Sequence, residues 1–493
     1  MLTTMKKSVL TISAIIAASA VMAQGADDAL RFSQTYQQGT ARSAAMGGAF
    51  GALGGDISIL ATNPAGMSIY KDGEFTFTPV FGNVNTNTTL NKFEQEDSKF
   101  AFKLGNIGFV TSHHNGNESG FSGFAFGMSF NRLNDFSANN IVYGRNDNSS
   151  FLDYWAKRSN GANISQLSVF DEYPAYYSLL IDSVGPQQYK SIHQRAGARY
   201  GQYQNLIQTV KGGINSWDFA FSGVYAEKFY FGASLGIQSV NYKIRETISE
   251  LDDNDVADYR SWDLHGEQED HGTGINLKAG IIYKPVNFLR FGAAIHTPTY
   301  YAISHKFYTQ MTSELDTDTE PYECDPYKSD YEFRLLTPFK AIFSGALIVP
   351  NIGLLSVDYE CVDYSKARFE TSDEDNYTFT DENNDITKGY RATNNLRIGI
   401  EALAGQISVR GGYAIYGNPY KWTSDNIQRQ VISGGLGFRG ENMFFDITGT
   451  YHLYNTKAIF YGDPLRTSFE DVTQFYDIDR RQLYVMATVG FKF

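Results

Sequence analysis

The last strand of the chain constrains its fold more than any other stretch. Leu483, Val485, Ala487, Val489, Phe491 and Phe493 are all apolar and stand two apart, with Tyr484, Met486, Thr488, Gly490 and Lys492 between them. A strand sends alternate side chains to opposite faces. One face here is therefore continuously apolar, and the other is mixed. Two environments accept such a strand: the wall of a membrane barrel, apolar toward lipid and mixed toward the lumen, or the edge of a soluble sandwich.

The other end favours the barrel. Lys6 and Lys7 precede a mostly apolar run from Val9 to Val21, followed by Met22-Ala23-Gln24. A basic start, a short apolar core and small residues read as a secretory signal peptide over residues 1–23, cut after Ala23. No Cys follows the cut closely, so a lipid anchor is not expected. No later stretch reaches the ~18 apolar residues of a membrane helix. An exported chain that spans a membrane must then do so as a closed barrel. The expected location is the outer membrane of a Gram-negative bacterium, among its lipid and lipopolysaccharide. The apolar C-terminal row would be presented to the barrel-assembly machinery.

Composition agrees. The mean hydropathy of −0.32 is too polar for a helical membrane protein. The 33 Tyr and 36 Phe suit aromatic girdles, and 46 Gly against 12 Pro suits long strands. A net charge of −13 with no basic patch argues against nucleic acid. Cys324 and Cys361 pair only if the fold brings their Cα atoms close.

Fourteen alternating stretches follow one another from Glu74–Asn85 to Gln482–Phe493, among them Phe100–Thr111, Phe121–Asn131, Ile214–Ala226 and Thr273–Tyr283. Short connectors such as Glu227–Lys228 and Ala404–Gly405 alternate with longer polar ones. This is the rhythm of periplasmic turns and external loops. The expected fold is all-β: a fourteen-stranded antiparallel transmembrane β-barrel over residues 72–493. One connector, residues 133–217, is too long for a plain loop. It reads as a partly helical extracellular subdomain. Tyr200, Tyr203, Leu206, Ile207 and Val210 have helical spacing before Gly212-Gly213. A second helix within Ile164–Val184 would break at Pro174.

Between signal and barrel, residues 24–71 hold a nearly uncharged run rich in Gly and Ala from Ala41 to Asp56, then Asn63, Pro64, Ala65 and Gly66. Asn-Pro is a turn signal. Small residues permit close backbone packing, so the segment reads either as a plug in the lumen or as a flexible periplasmic leader. In the third strand Gly120, Gly123 and Gly127 permit a kink, although glycines also serve plain packing. Lys340, Arg397 and Arg410 would either grip a carboxylate in the lumen or pair with Asp358, Glu360 and Glu401. His265 to His271 lacks the fixed ligand spacing of a metal or haem site and reads as a solvated loop. The acidic runs from Ser372 and Asp381 lack the Gly and Glu of a calcium loop. No Gly-x-Ser-x-Gly, His-Glu-x-x-His or phosphate loop occurs, so no enzyme and no cofactor are expected.

The run of small residues, an Asp and then Asn63-Pro64-Ala65 before the first strand resembles the N-terminal hatch of the FadL/TodX outer-membrane transporters of long-chain fatty acids and hydrocarbons. Phe291 to Pro298 is similar to a strand end of that family, and Thr337-Pro338-Phe339 with Val357 to Ser365 resembles its middle strands. The resemblance covers residues 31–493. It implies fourteen strands, a hatch inside the barrel, and passive passage of hydrophobic small molecules that leave sideways past a kinked third strand. The alternative on the same barrel is a surface receptor for haemin or another host ligand, held by the external subdomain.

Overall fold

The computed structural model describes residues 25–36, 38–115, 120–371, 378–422 and 429–493; the expected signal peptide and the acidic run 372–376 lie outside them. Fourteen antiparallel strands form one wall. They are β1 (Glu74–Leu90), β2 (Phe93–His114), β3 (Phe121–Asp135, resuming as Ala138–Arg145), β4 (Tyr203–Tyr225) and β5 (Phe229–Leu251). Then follow β6 (Tyr259–Val286), β7 (Leu289–His296, resuming as Tyr300–Leu315), β8 (Tyr327–Leu336, resuming as Lys340–Val349) and β9 (Gly353–Asp363, resuming as Arg368–Thr371). The last are β10 (Ala392–Ala404), β11 (Ile407–Tyr416), β12 (Arg429–Arg439), β13 (Met443–Tyr461) and β14 (Gln474–Lys492). β14 pairs back onto β1, from Glu74 opposite Lys492 to Thr89 opposite Asp477, and so closes the barrel.

Alternation decides which face meets lipid. On β14, Phe491 and Phe493 are 48% and 71% exposed, whereas Tyr484, Met486 and Thr488 are buried in the lumen. Phe77, Phe221, Phe231, Phe291, Phe343 and Phe445 continue the outward apolar belt around the wall. Such a belt is stable only against hydrocarbon.

Several strands run far beyond the ~10 residues that cross a bilayer. β4, β5 and β6 have 23, 23 and 28 residues. The expected helix at Tyr200–Val210 is a correction: from Tyr203 this stretch is the outer section of β4, paired with Ala138–Arg145 on one side and with β5 on the other. Leu206 and Val210 face an external core and Ile207 faces out, so apolar residues on both faces imitate a helical period. His265 and His271 likewise stand on β6 rather than in a loop.

The external insert accordingly covers residues 146–202, narrower than the expected 133–217, because β3 and β4 continue outward on either side of it. It holds α3 (Phe151–Ser159), α4 (Glu172–Tyr177), a small hairpin (Ile181–Gly185 with Gln188–Ser191) and α5 (Ile192–Arg195). Pro174 lies within the first turn of α4, where a missing N–H is tolerated. Ser150 caps α3 with Asp153 in a capping box. Phe151 and Trp155 of α3 pack on Trp262 of β6, which ties the insert to the wall. The acidic run from Asp381 belongs to α6 (Thr380–Gly389). Cys324 and Cys361 are free thiols.

Candidate functional site

The segment before β1 threads the barrel. α1 (Ala26–Ser33) packs Leu30 and Phe32 into the external core, with Phe32 against Phe136 and Tyr242. The chain then descends to α2 (Ala41–Ala45) and two short 3₁₀ turns, Ile57–Ala61 and Pro64–Ile69. Thr40, Asp56 and Asn63 cap these three elements with their side chains.

Asn63, Pro64, Ala65 and Gly66 are all buried. Asn63 Nδ2 donates to Gly51 O at 2.6 Å and to Ile281 O of β6 at 3.3 Å, while its Oδ1 accepts from Ala65 N at 3.2 Å. Pro64 occupies the first 3₁₀ position, where no N–H is needed. The wall makes room for this turn with glycine: a Cβ on Gly280 would collide with the Asn63 amide. Gly412 of β11 lies equally close to Met46 and Gly47.

Charged groups clamp the segment to the opposite wall. Arg42 forms a bidentate pair with Glu401 of β10, at 3.0 and 3.1 Å, and donates to Gly55 O at 2.9 Å. Glu401 also accepts from Arg410 of β11, whose other arm reaches Asp446 of β13 at 2.6 Å. Asp358 of β9 accepts from Phe50 N and Gly51 N at 3.1 and 3.0 Å. The segment and its wall partners lie more than 300 residues apart, so no sequence spacing announces the Arg42–Glu401 and Gly51–Asp358 contacts.

Of the three cations, Arg397 and Arg410 take the pairing alternative, with Glu360 and with Glu401. Arg410 is enclosed between Glu401 and Asp446 and belongs to the clamp. Arg397 pairs with Glu360 at 3.2 Å, and Lys340 Nζ donates to Thr35 Oγ1 at 2.7 Å. Lys340 and Arg397 line one small cavity together with Lys278, His296, Glu360 and the apolar Phe32, Leu133 and Ile342. Lys278 and His296 carried no sequence signal beyond their strand positions.

The third strand carries a bulge between Phe121 and Gly123 on its β4 side, within the glycine stretch. Gly123 is otherwise opposite His114 of β2 and Val224 of β4, and Gly127 pairs regularly with Val110 and Ala220. Gly120 adopts a positive φ at the turn. The ladder continues past the bulge, because the lower wall carries the lipid belt and needs its backbone groups paired. It ends further out. β2 and β3 pair only from Asn106–Asn131 downward, and Phe93–Leu104 of β2 pair with β1 alone.

Above that point the threaded segment supplies the missing partners. Tyr36 N donates to Leu133 O at 2.6 Å, Gln38 N to Arg132 O at 3.1 Å, and Asn134 Nδ2 to Gln34 O at 3.0 Å. Further out the seam is held by side chains. Lys103 pairs with Asp135 and donates to Ser137 Oγ at 3.0 Å. Lys99 Nζ reaches Val210 O at 2.7 Å, and Phe93 meets the edge of Tyr143.

No protein-family model and no curated protein matches the sequence. Among solved structures, the chain is similar to a FadL homologue of Pseudomonas aeruginosa at a TM-score of 0.56 and 13% identity, covering 93% of this chain and 98% of that one. It is similar to the Pseudomonas putida toluene transporter TodX at 0.52 and 12%, covering 92% and 97%. It also resembles the monoaromatic hydrocarbon channel CymD at 0.50 and 12%, again covering 92% and 97%. The chain therefore has the fold of the FadL/TodX-type outer-membrane transporters, a closed barrel of fourteen antiparallel strands.

Proposed function

We propose that this protein passes hydrophobic compounds inward across the outer membrane by diffusion, with long-chain fatty acids as the cargo class. A lipophile crosses the polar sugar layer poorly and needs an apolar capture site, a lumen and a short path to hydrocarbon. The carrying observation is the β2–β3 seam, where Tyr36 and Gln38 stand in for a ladder that stops at Asn106–Asn131. Unpaired backbone facing lipid costs several kcal/mol per group, so a gap in a barrel wall requires such a substitute. In this reading residues 24–71 are a hatch and the Asn63–Gly66 turn is its hinge. Lys340 and Arg397 receive a carboxylate, and cargo leaves through the seam when the hatch moves. Recognition of haemin or a host ligand has no observation in its favour: His265 stands exposed near Glu267, and His271 bonds Asn241.

The test is a tether. Ala45 Cβ lies 2.9 Å from the Cβ that Gly435 of β12 would carry. That is closer than the ~3.5–4.5 Å of a disulfide, and the same Cβ would meet Ile447 O at 2.8 Å and Thr448 Oγ1 at 2.5 Å, so the strand must shift and heat-modifiable mobility verifies folding before uptake is read. Ala45→Cys with Gly435→Cys, in a Cys324→Ser, Cys361→Ser background, should bind the hatch to the wall. Oleate uptake is expected to fall to background when oxidised and to return on reduction. Full uptake with the bond demonstrably formed refutes a moving hatch.

A further inference from the structure

At the level of Lys99 and Lys103, inward of Glu94 and Glu96 at the tip of β2, the β2–β3 seam gathers cations. The protein has a net charge of −13. Yet Lys99 and Lys103 of β2, Arg132 of β3 and Lys211 of β4 converge on this seam, with Asp135 and Asp97 as the carboxylates near them. Asp135 is taken by Lys103. Lys99 bonds a neutral backbone carbonyl, and neither Lys99 nor Lys211 forms an ion pair among the described residues. Arg132 donates to Asn215 and Gly212 O, and its buried Nε has no partner.

The surroundings are as unusual as the charge. Phe100 and Phe102 flank the lysines on the outer face and are 68% and 62% exposed, the two most exposed phenylalanines after the C-terminal Phe493. Alternation along β2 thus places apolar rings toward lipid and ammonium groups at the seam, two residues at a time. An ammonium beside hydrocarbon is stabilised by a charge-assisted hydrogen bond to an anion, more strongly than by a carbonyl. Among the described residues, neither Lys99 nor Lys211 has a carboxylate within ion-pair distance.

We infer that the outer β2–β3 seam is a binding site for an anionic head group carried on an acyl chain, with Lys99 and Lys211 gripping the head group and Phe100 and Phe102 bedding the chain. Two sources offer this chemistry: a carboxylate on a fatty acid, and a phosphate on an outer-leaflet glycolipid. The assignment stands on the seam's charge and rings and does not require that the barrel transports anything.

The experiment measures retention on the purified full-length barrel in nanodiscs by native mass spectrometry, with three probes: oleate, bis-phosphorylated lipid A, and oleyl alcohol as the neutral control. Lys99→Gln with Lys211→Gln leaves the Lys103–Asp135 contact intact, and heat-modifiable gel mobility verifies folding. Retention of anionic probe is expected to fall about tenfold, the equivalent of one lost charge-assisted contact, while oleyl alcohol is unchanged. The wild-type advantage should also shrink as salt rises. Loss of oleate alone assigns the site to cargo, loss of lipid A alone assigns it to the leaflet, and loss of both assigns it to either anion. Unchanged retention of both anionic probes, or an equal loss of the neutral one, overturns the inference. Because no flux is measured, a barrel that fails the tether test can still pass this one.

Discussion

The β1–β2 hairpin borders two seams that solve the same problem differently. On the β14 side, backbone pairs run from Glu74–Lys492 out to Thr89–Asp477, interrupted at Thr78–Pro79, where Thr78 Oγ1 bonds Thr488 Oγ1 at 2.7 Å. On the β3 side they stop at Asn106–Asn131, and the seam continues through hatch backbone, then lysines, then aromatic rings. The closure seam is made of groups that cannot leave without unfolding the wall. The other is closed by groups that belong to a separate segment or to flexible side chains, each exchangeable for water, lipid or ligand. One edge of the hairpin is thus closed by strand backbone, and the other, beyond Asn106–Asn131, by the threaded segment and side chains.

The strongest way to disturb this contrast is through the hatch clamp. Glu401→Ala strands Arg42 and Arg410 without their shared carboxylate. Removing one member of a buried ion pair costs about 3–5 kcal/mol. Hatch release should raise leakage of small polar solutes into liposomes, while β14–β1 remains closed and heat-modifiability persists. Unchanged leakage would mean the clamp does not hold the hatch. Next in size is a matched pair of lipid-face substitutions. Val485→Arg on the closure seam should cost about 2–4 kcal/mol in folded yield, and Phe100→Arg, one row further out on the open seam, less than that. Equal losses would erase the difference in depth and pairing. Gly127→Val adds bulk against Met67 and Leu60 of the hatch and should cost about 1–3 kcal/mol by overpacking. Thermal unfolding of the folded barrel reads that loss.

What the sequence disclosed follows from where the bilayer acts. Strands inside the belt must alternate, and Glu74, Phe121, Phe229, Ile407 and Met443 mark true strand starts. Beyond the belt no solvent enforces a period, so Tyr259–Gly272 with its Asp, His and Glu residues carried no strand signal although its ladder is complete. The Asn63-Pro64 turn was legible because capping is local. The Arg42–Glu401 clamp was not, because its partners are joined only by the closed wall. The glycines of β3 marked the bulge at Phe121–Gly123 but not the outer end of the β2–β3 ladder. Gly127 faces the hatch, while the ladder ends among Asn131, Asn134 and Asp135, whose side chains can replace backbone partners.

The smallest expected effect is a pH dependence of the softer seam. The sealing residues Tyr36 and Gln38 follow directly from α1, whose Asp28 is buried in the external core, outside the apolar belt. Asp28 faces Arg31 and Asp27 of its own segment, Gln268 and Asp270 of β6, and His305 of β7, while Tyr390 bonds Asp27. Burial, more than the neighbouring Asp270, lifts its carboxyl from 3.8 to about 6 against the pull of Arg31. Burial similarly lifts Glu246 of β5 to about 7. The docked state thus holds protons that the undocked state releases between pH ~4 and ~7. Docking is most favoured below that window and weakens as pH rises through it. Protection factors of α1 and of Tyr36, corrected at each pH for the intrinsic base-catalysed exchange rate, should be higher at pH 4.5 than at pH 8, by more than about tenfold, since each pKa unit of the shift corresponds to that factor. Asp28→Asn should flatten most of the profile, and exchange along the β14–β1 seam should not change. A profile that Asp28→Asn leaves intact would assign the pH response to another group, and a closure seam that loosens in step would show that the two edges of the hairpin open together.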